Sequence, residues 1–172
     1  HTFGLGAQFE TPSQIGRWTY GLDWYHDEVS SFKDQYSAAG AFEHGNIQGP
    51  IGDDAHYDLL GVFIQDSIPL GDRLQMILGG RYNFARAEAG RVEDPDTGNR
   101  ISVEDDWSSF VGSARLSYFL DKQEHWNLFG GVSQGFRAPN LSDLTRLDDA
   151  RSDEIETPSP GLDPEEYISY EV

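Results

Sequence analysis

The 172-residue sequence contains no cysteine, which excludes a disulfide framework and any thiolate metal site. It lacks a run of eighteen apolar residues, so no helix of it can be a membrane span. Basic residues are scarce: 12 Lys and Arg stand against 30 Asp and Glu, a formal net charge of −18. A nucleic-acid partner needs a basic face and is excluded. Sustained helical periodicity is missing as well. The opening HTFGLGAQFE has neither an initiator Met nor the basic-then-apolar start of a signal peptide. The chain therefore reads as starting inside a longer protein, and the closing EEYISYEV reads as breaking off within a strand.

What is present is a period of two. Phe3, Leu5, Ala7 and Phe9 alternate with Thr2, Gly4, Gly6, Gln8 and Glu10. Trp18, Tyr20, Leu22 and Trp24 alternate with Thr19, Gly21, Asp23 and Tyr25. Leu60, Val62 and Ile64 oppose Gly61, Phe63 and Gln65. Leu74, Met76, Leu78, Gly80, Tyr82 and Phe84 oppose Gln75, Ile77, Gly79, Arg81 and Asn83. Phe110, Ala114, Leu116 and Tyr118 oppose Val111, Ser113, Arg115 and Ser117. Trp126, Leu128, Val132 and Phe136 oppose Asn127, Phe129, Ser133 and Arg137, and a seventh strand is predicted to start near Glu166.

Soluble sandwiches alternate too, so the connections carry more weight. Short ones (11–17, 68–73, 120–125) and long polar ones (about 27–56, 87–106, 138–165) follow each other in strict order. Tight turns then gather at one end of the sheet and long loops at the other, as in outer-membrane barrels. Trp18 and Trp126 follow short turns, while Trp24, Tyr82 and Phe136 lie toward the long loops, as two interfacial girdles require. Hydrocarbon offers the backbone no hydrogen-bond partner, so a spanning sheet must close on itself, with strands of about 9–11 residues. The pattern predicts an all-β, antiparallel transmembrane barrel segment whose apolar parity meets outer-membrane lipid. Asp23, Tyr25, Gln65, Arg81, Arg115 and Arg137 are then the lumen-facing candidates for contact with water, other protein or a substrate.

Three elements carry a family resemblance. LLGVFIQDSIPLGDRLQMILGGRYNFARAE (59–88) resembles a hairpin of TonB-dependent outer-membrane receptors. HWNLFGGVSQGFRAPNLSDL (125–144) resembles that family's most recognisable barrel segment, with the motif Gly135, Phe136, Arg137, Ala138 and Pro139. SPGLDPEEYISYEV (159–172) resembles the element that follows it. The resemblance implies a barrel of about 22 strands enclosing an N-terminal plug, with a segment ahead of the plug that engages the TonB complex. This chain would be a partial barrel domain over residues 1–172, supplying about six or seven strands, with plug, TonB-contacting segment and signal peptide lying outside it. It implies a receptor in the outer membrane of a Gram-negative-type bacterium. Its role would be energised uptake of a bulky scarce nutrient, most commonly a ferric siderophore, with haem, cobalamin, metal chelates and glycans as alternatives. No cofactor or resident metal is expected. The haem-uptake branch usually carries a histidine in the loop after the motif, and residues 138–165 hold none.

Arg137 ends its strand on the polar parity, which avoids the cost of about 2–4 kcal/mol for a cation on the lipid face. Its fork of donors suits carboxylates on the wall or the plug, and Pro139 ends the ladder where the chain leaves for the loop. Gly131 and Gly135 are expected to leave room for protein packed inside the lumen. The acidic loops read as solvated charge; Asp94, Asp96 and Gly98 echo a calcium loop without its terminal Glu. Three rival readings are a passive porin, a soluble adhesive sandwich and an enzyme. For the last, Asp53-Asp54, Asp105-Asp106, Asp148-Asp149 and His26 or His56 supply acids and bases but no assignable nucleophile set. His26, His44 and His56 remain as other candidate haem ligands, although isolated loop histidines are more often solvated bystanders.

Overall fold

The computed structural model describes residues 1–121, 123, 125–149 and 155–172, with the side chains of 149 and 155 left aside. Its elements are β1 (Thr2–Pro12), β2 (Arg17–Val29), β3 (Asp34–Tyr36), β4 (Phe42–Gly45), β5 (Asp53–Pro69) and β6 (Leu74–Glu93). They continue with β7 (Arg100–Phe119), β8 (Asn127–Arg137), α1 (Leu141–Thr145), β9 (Asp148–Asp149), β10 (Ile155–Glu156) and β11 (Glu165–Glu171). One antiparallel sheet runs β1-β2-β5-β6-β7-β8-β11, and the small pairs β3-β4 and β9-β10 decorate two connections. Every strand of the main sheet therefore pairs with its neighbours along the chain, apart from those two decorations.

Register sorts the side chains into two faces, because residues directly opposite in a pair point the same way. Leu5, Trp24, Leu60 and Phe84 fall in one row, as do Tyr82 and Phe110 in another. Along β6 this apolar face runs from Leu74 to Phe84, the length of about 9–11 residues that a tilted strand needs to cross a bilayer. The face is uncovered: Phe110 is 70 % exposed, Leu128 68 % and Tyr170 80 %. A water-soluble sheet would bury such a row under a second layer, whereas a barrel wall presents it to lipid. Beyond Phe84 the same parity turns polar at one level, where His26, Asp58, Arg86 and Asp106 lie in register across four strands. That row marks the end of the oily band.

The short connections are tight turns. Gly71 adopts φ 113°, a backbone state that only glycine enters freely, and the Leu70 amide donates to the Leu74 carbonyl at 2.7 Å. In 13–16 the Ser13 hydroxyl accepts from the Gly16 amide at 3.0 Å. Across the third, the Leu120 amide donates to the Trp126 carbonyl at 2.9 Å; residues 122 and 124 lie outside the described set.

The long connections differ from expectation. The connection read as 87–106 is mostly strand: β6 runs to Glu93 and β7 starts at Arg100, leaving the turn 94–99 with Gly98 at φ 66°. The physical reason is that the alternation continues with new partners. Ala85, Ala87 and Ala89 are buried while Arg86 and Glu88 between them are exposed, so the outer parity is polar above the oily band. Likewise 27–56 holds the ends of β2 and β5 and the hairpin β3-β4. His26 and His56 are strand residues; His44 lies in β4.

The alanine row is the floor of the core. Val92, Val103, Trp107, Leu141 and Leu144 pack with it, so the buried centre lies on the polar parity at the long-loop end. Two loops close over it. Gln48, 2 % exposed, donates through Nε2 to the Thr145 carbonyl at 2.8 Å and accepts from the Glu93 amide at 2.8 Å. The Gly52 amide donates to the Thr145 hydroxyl at 2.8 Å, and the Leu147 amide to the Pro50 carbonyl at 3.1 Å. Small side chains let α1 and residues 46–52 sit close to the sheet, and these polar contacts satisfy the groups that the packing buries.

Candidate functional site

The polar parity is a wall of paired charges. Arg81 in β6 reaches over β5 to Asp23 in β2, with Nη1 to Oδ1 at 2.9 Å and Nη2 to Oδ2 at 2.7 Å. Its Nε donates to Asn83 Oδ1 at 2.7 Å, and its guanidinium stands 5.9 Å from the Phe63 ring centroid. The bidentate fork is possible because Gly61 separates the partners. A Cβ there would lie 1.8 Å from Arg81 Nη2 and 2.9 Å from Asp23 Oδ2. Glycine in β5 is therefore the gap through which two non-adjacent strands are tied.

A second ion pair spans β8. Arg115 and Glu171 both stand opposite Gly131 in register, and Nη2 meets the carboxylate at 2.7 Å. The Arg115 guanidinium also lies 5.0 Å over Phe129. Gly135 corrects the expectation of free luminal space: the Tyr167 ring of β11 fills it, 2.1–2.6 Å from where a Cβ would be. The room at Gly131 is likewise bordered by Arg115, 3.5 Å from a would-be Cβ. A neighbouring wall side chain fills the gap at Gly135, while Gly131 is bounded chiefly by the Ala114 carbonyl oxygen, 3.2 Å from a would-be Cβ.

The Gly-Phe-Arg-Ala-Pro stretch turns the chain from wall to lid. Arg137 donates to Glu165 at 2.7 Å, its register partner in β11, and to Asp143 at 2.9 Å. Asp143 also accepts from the Asn140 amide at 3.1 Å, while the Asn140 side chain accepts from the Asp143 amide at 3.0 Å. This reciprocal capping box starts α1. Ala138 is buried in the core beside Phe136, and the Pro139 carbonyl accepts from the Tyr57 hydroxyl at 3.0 Å. Arg137 thus holds together the end of β8, the start of β11 and the helical turn. Trp107 adds a further tie, donating from Nε1 to the Leu162 carbonyl at 3.0 Å.

Of the six lumen candidates, Asp23 and Arg81 are brought together, while Arg115 and Arg137 pair with carboxylates the sequence reading had not singled out. Tyr25 is exposed, its ring over Gly4 of β1, and Gln65 is exposed opposite Thr19 and Gly79. The capping pair Asn140 and Asp143 was legible as Asn-x-x-Asp; Gly61, Glu165 and Glu171 carry no local signal. Two of the three paired-acid candidates come apart. Asp53 is buried, accepting from the Ser31 amide at 2.9 Å and pairing with Arg91, whereas its neighbour Asp54 takes φ 53° and is exposed. Asp105 and Asp106 alternate between faces, as neighbours on a strand must. Asp148 meets Lys33 at 3.9 Å, and the Asp149 side chain lies outside the described residues. In the 94–99 turn the Asp94 carboxylate is held below its ordinary range, first by the Asp96 amide, at 2.9 Å, and then by Thr97. That carboxylate closes its own turn.

An antiparallel meander with one bare oily face and one ion-paired face, its loops folded over the latter, is a segment of a transmembrane barrel wall. The chain belongs to the TonB dependent receptor-like, beta-barrel family, whose model matches residues 1–172. A search of curated proteins finds none that matches the chain. Among solved structures it is similar to a double mutant of the Serratia marcescens hemophore receptor HasR in complex with its hemophore HasA and heme. That likeness has 17% identity and a TM-score of 0.74, and covers 98% of this chain and 28% of that one. It is also similar to the copper transporter OprC, at 17% identity and a TM-score of 0.64, over 83% of this chain and 23% of that one. The chain thus spans less than a third of either structure.

Proposed function

We propose that this chain is part of the wall of an outer-membrane, TonB-dependent transporter that takes up a bulky, scarce nutrient, with a ferric siderophore as the favoured substrate. The observation that carries the reading is the family match over the whole chain, joined to the two-faced wall. The exposed apolar parity faces lipid, and the parity with Asp23, Tyr25, Gln65, Arg81, Arg115 and Arg137 faces the lumen. There the ion pairs keep the wall rigid around a plug supplied by the rest of the protein, and exposed Tyr25 and Gln65 remain available to plug or cargo. The Gly135–Pro139 stretch serves as the family's motif by turning the loop inward over the wall. The protein acts by binding and admitting cargo, not by turnover.

Of the similarly folded proteins, HasR is a hemophore receptor solved in complex with its hemophore and heme, and OprC is a copper transporter. The 138–165 loop offers no histidine to a haem iron, and the ferric siderophore is favoured as the commonest cargo of the family the sequence resembles. Uptake of radiolabelled ferric chelates by cells expressing the full-length receptor tests the reading. Accumulation that needs both this receptor and TonB supports it. Uptake that persists without TonB identifies a porin, and uptake of haem but no ferric chelate replaces the substrate.

A further inference from the structure

At the edge of the oily band, on the parity opposite the arginine wall, three metal-binding side chains converge. His26 and Glu28 are two residues apart on β2, and His56 stands directly opposite Glu28 on β5. Their ligand atoms lie within 4.8 Å of one another, the one such grouping of three among the described residues. The connection between β2 and β5 keeps these residues apart in sequence, and register alone brings them together.

The surroundings prepare His26 as a ligand. Asp58, its register partner, lies with Oδ1 2.9 Å from His26 Nδ1, and the same oxygen accepts from Trp24 Nε1 at 3.1 Å. A carboxylate at Nδ1 sets the proton there and leaves the Nε2 lone pair outward, the arrangement by which a second carboxylate orients metal-bound imidazoles. That Nε2 points at Glu28 Oε1, 3.9 Å away. His56 stacks on His26 with centroids 5.7 Å apart and planes at 16°. His56 Nδ1 is buried with no hydrogen-bond partner among the described residues, an unusual cost for a folded protein. Glu28 is 56 % exposed and free to swing inward. Ligand atoms about 3.3 Å apart, as bonds of roughly 2.0–2.1 Å in a tetrahedron require, need only a small closure.

We propose that His26, Glu28 and His56 form a binding site for a first-row divalent metal of the Zn²⁺ class on the rim of the wall. Two imidazoles and one carboxylate are the borderline donors such ions select, and a fourth position stays open to water or to a headgroup oxygen. Mg²⁺ and Ca²⁺, which prefer all-oxygen shells, are disfavoured. The site is off the polar wall, so the ion is a staple and not cargo. It joins β2 to β5 where the chain between them departs to cover the alanine floor, and its occupancy would stiffen that loop's base.

The test uses the full-length receptor in detergent, freed of any purification tag, titrated with Zn²⁺ against a chromophoric chelator. Wild type is expected to bind one equivalent more than His56→Ala or Glu28→Gln. Asp58→Asn should keep the stoichiometry but weaken that equivalent by about 10–100-fold. Glu28→His, which exchanges one ligand for another, should retain it. Zn²⁺ should also raise the urea midpoint of wild type and of Glu28→His, and not that of His56→Ala or Glu28→Gln. Glu28 is on the surface, so its variants keep the barrel folded, and heat-shifted gel mobility checks each one. Equal Zn²⁺ binding by wild type, His56→Ala and Glu28→Gln, or no binding by wild type, overturns the proposal.

Discussion

Gly61→Ala is the most informative single change in the wall. The added methyl would meet Arg81 Nη2 at 1.8 Å, Cζ at 2.3 Å and Asp23 Oδ2 at 2.9 Å, so the guanidinium must leave its bidentate seat. Hydrogen bonds to charged groups contribute about 1.5–3 kcal/mol. Arg81 and Asp23 keep 35 % and 27 % of their side-chain surface exposed, which discounts the pair to about 1–2 kcal/mol. Replacing glycine in a strand returns about 0.5–1 kcal/mol, so the net loss expected is about 1 kcal/mol. Gly112→Ala is the matched control: its methyl would meet nothing nearer than Gln134 Oε1 at 3.6 Å, and it should be neutral or stabilising. Urea unfolding of the full-length receptor in detergent, followed by tryptophan fluorescence, reads both. The decisive arm places Gly61→Ala in an Arg81→Ala background, where the obstruction is gone and the loss should vanish. An equal loss in both backgrounds would refute the view that Gly61 exists to let this pair form.

Three further outcomes follow from the same geometry. Gly135→Ala drives a methyl into the Tyr167 ring and should cost about 1–3 kcal/mol by overpacking; Tyr167→Ala should relieve it in the same unfolding assay. Asn140→Ala removes the capping side chain and should cost about 1 kcal/mol, seen as faster amide exchange over 141–147 with β1 and β2 unchanged. The Asp94 pKa is lowered from 3.8 in the folded turn, so its contribution is complete above that value and is lost as pH falls through the lower folded pKa. Amide exchange at 94–99 should therefore be steady from about pH 7 to pH 5, after correction for intrinsic rates, and loosen only below about pH 4.

The wall was legible because lipid imposes a local rule. Each crossing strand must alternate, so Leu74 to Phe84 announces both its conformation and its faces. Above the band the rule changes. Ala85, Ala87 and Ala89 alternate with charges, and alanine carries too little hydrophobic signal to reveal a strand whose inner side is covered by a loop. The glycines show a different limit. Gly131 and Gly135 read as spare room, and Gly61 only as a member of the polar parity, but what borders each one depends on register with strands far along the chain. The convergence of His26, Glu28 and His56 was hidden for the same reason, whereas the Asn140 capping box was local and readable.

The central claim is that one parity of this sheet meets lipid and the other an enclosed lumen. The segment's freedom from cysteine makes the test direct. Single cysteines at Met76, Leu78 and Tyr82, and at Gln75, Ile77 and Asn83, are introduced into full-length receptor in membranes. Each carries a fluorophore and is challenged with lipid-borne and then water-borne quenchers. Met76, Leu78 and Tyr82 should respond to the lipid quencher and the other three should not, with Ile77 siding with its polar neighbours despite being apolar. Lipid quenching at Ile77 and Asn83, or no alternation along β6, would contradict the account.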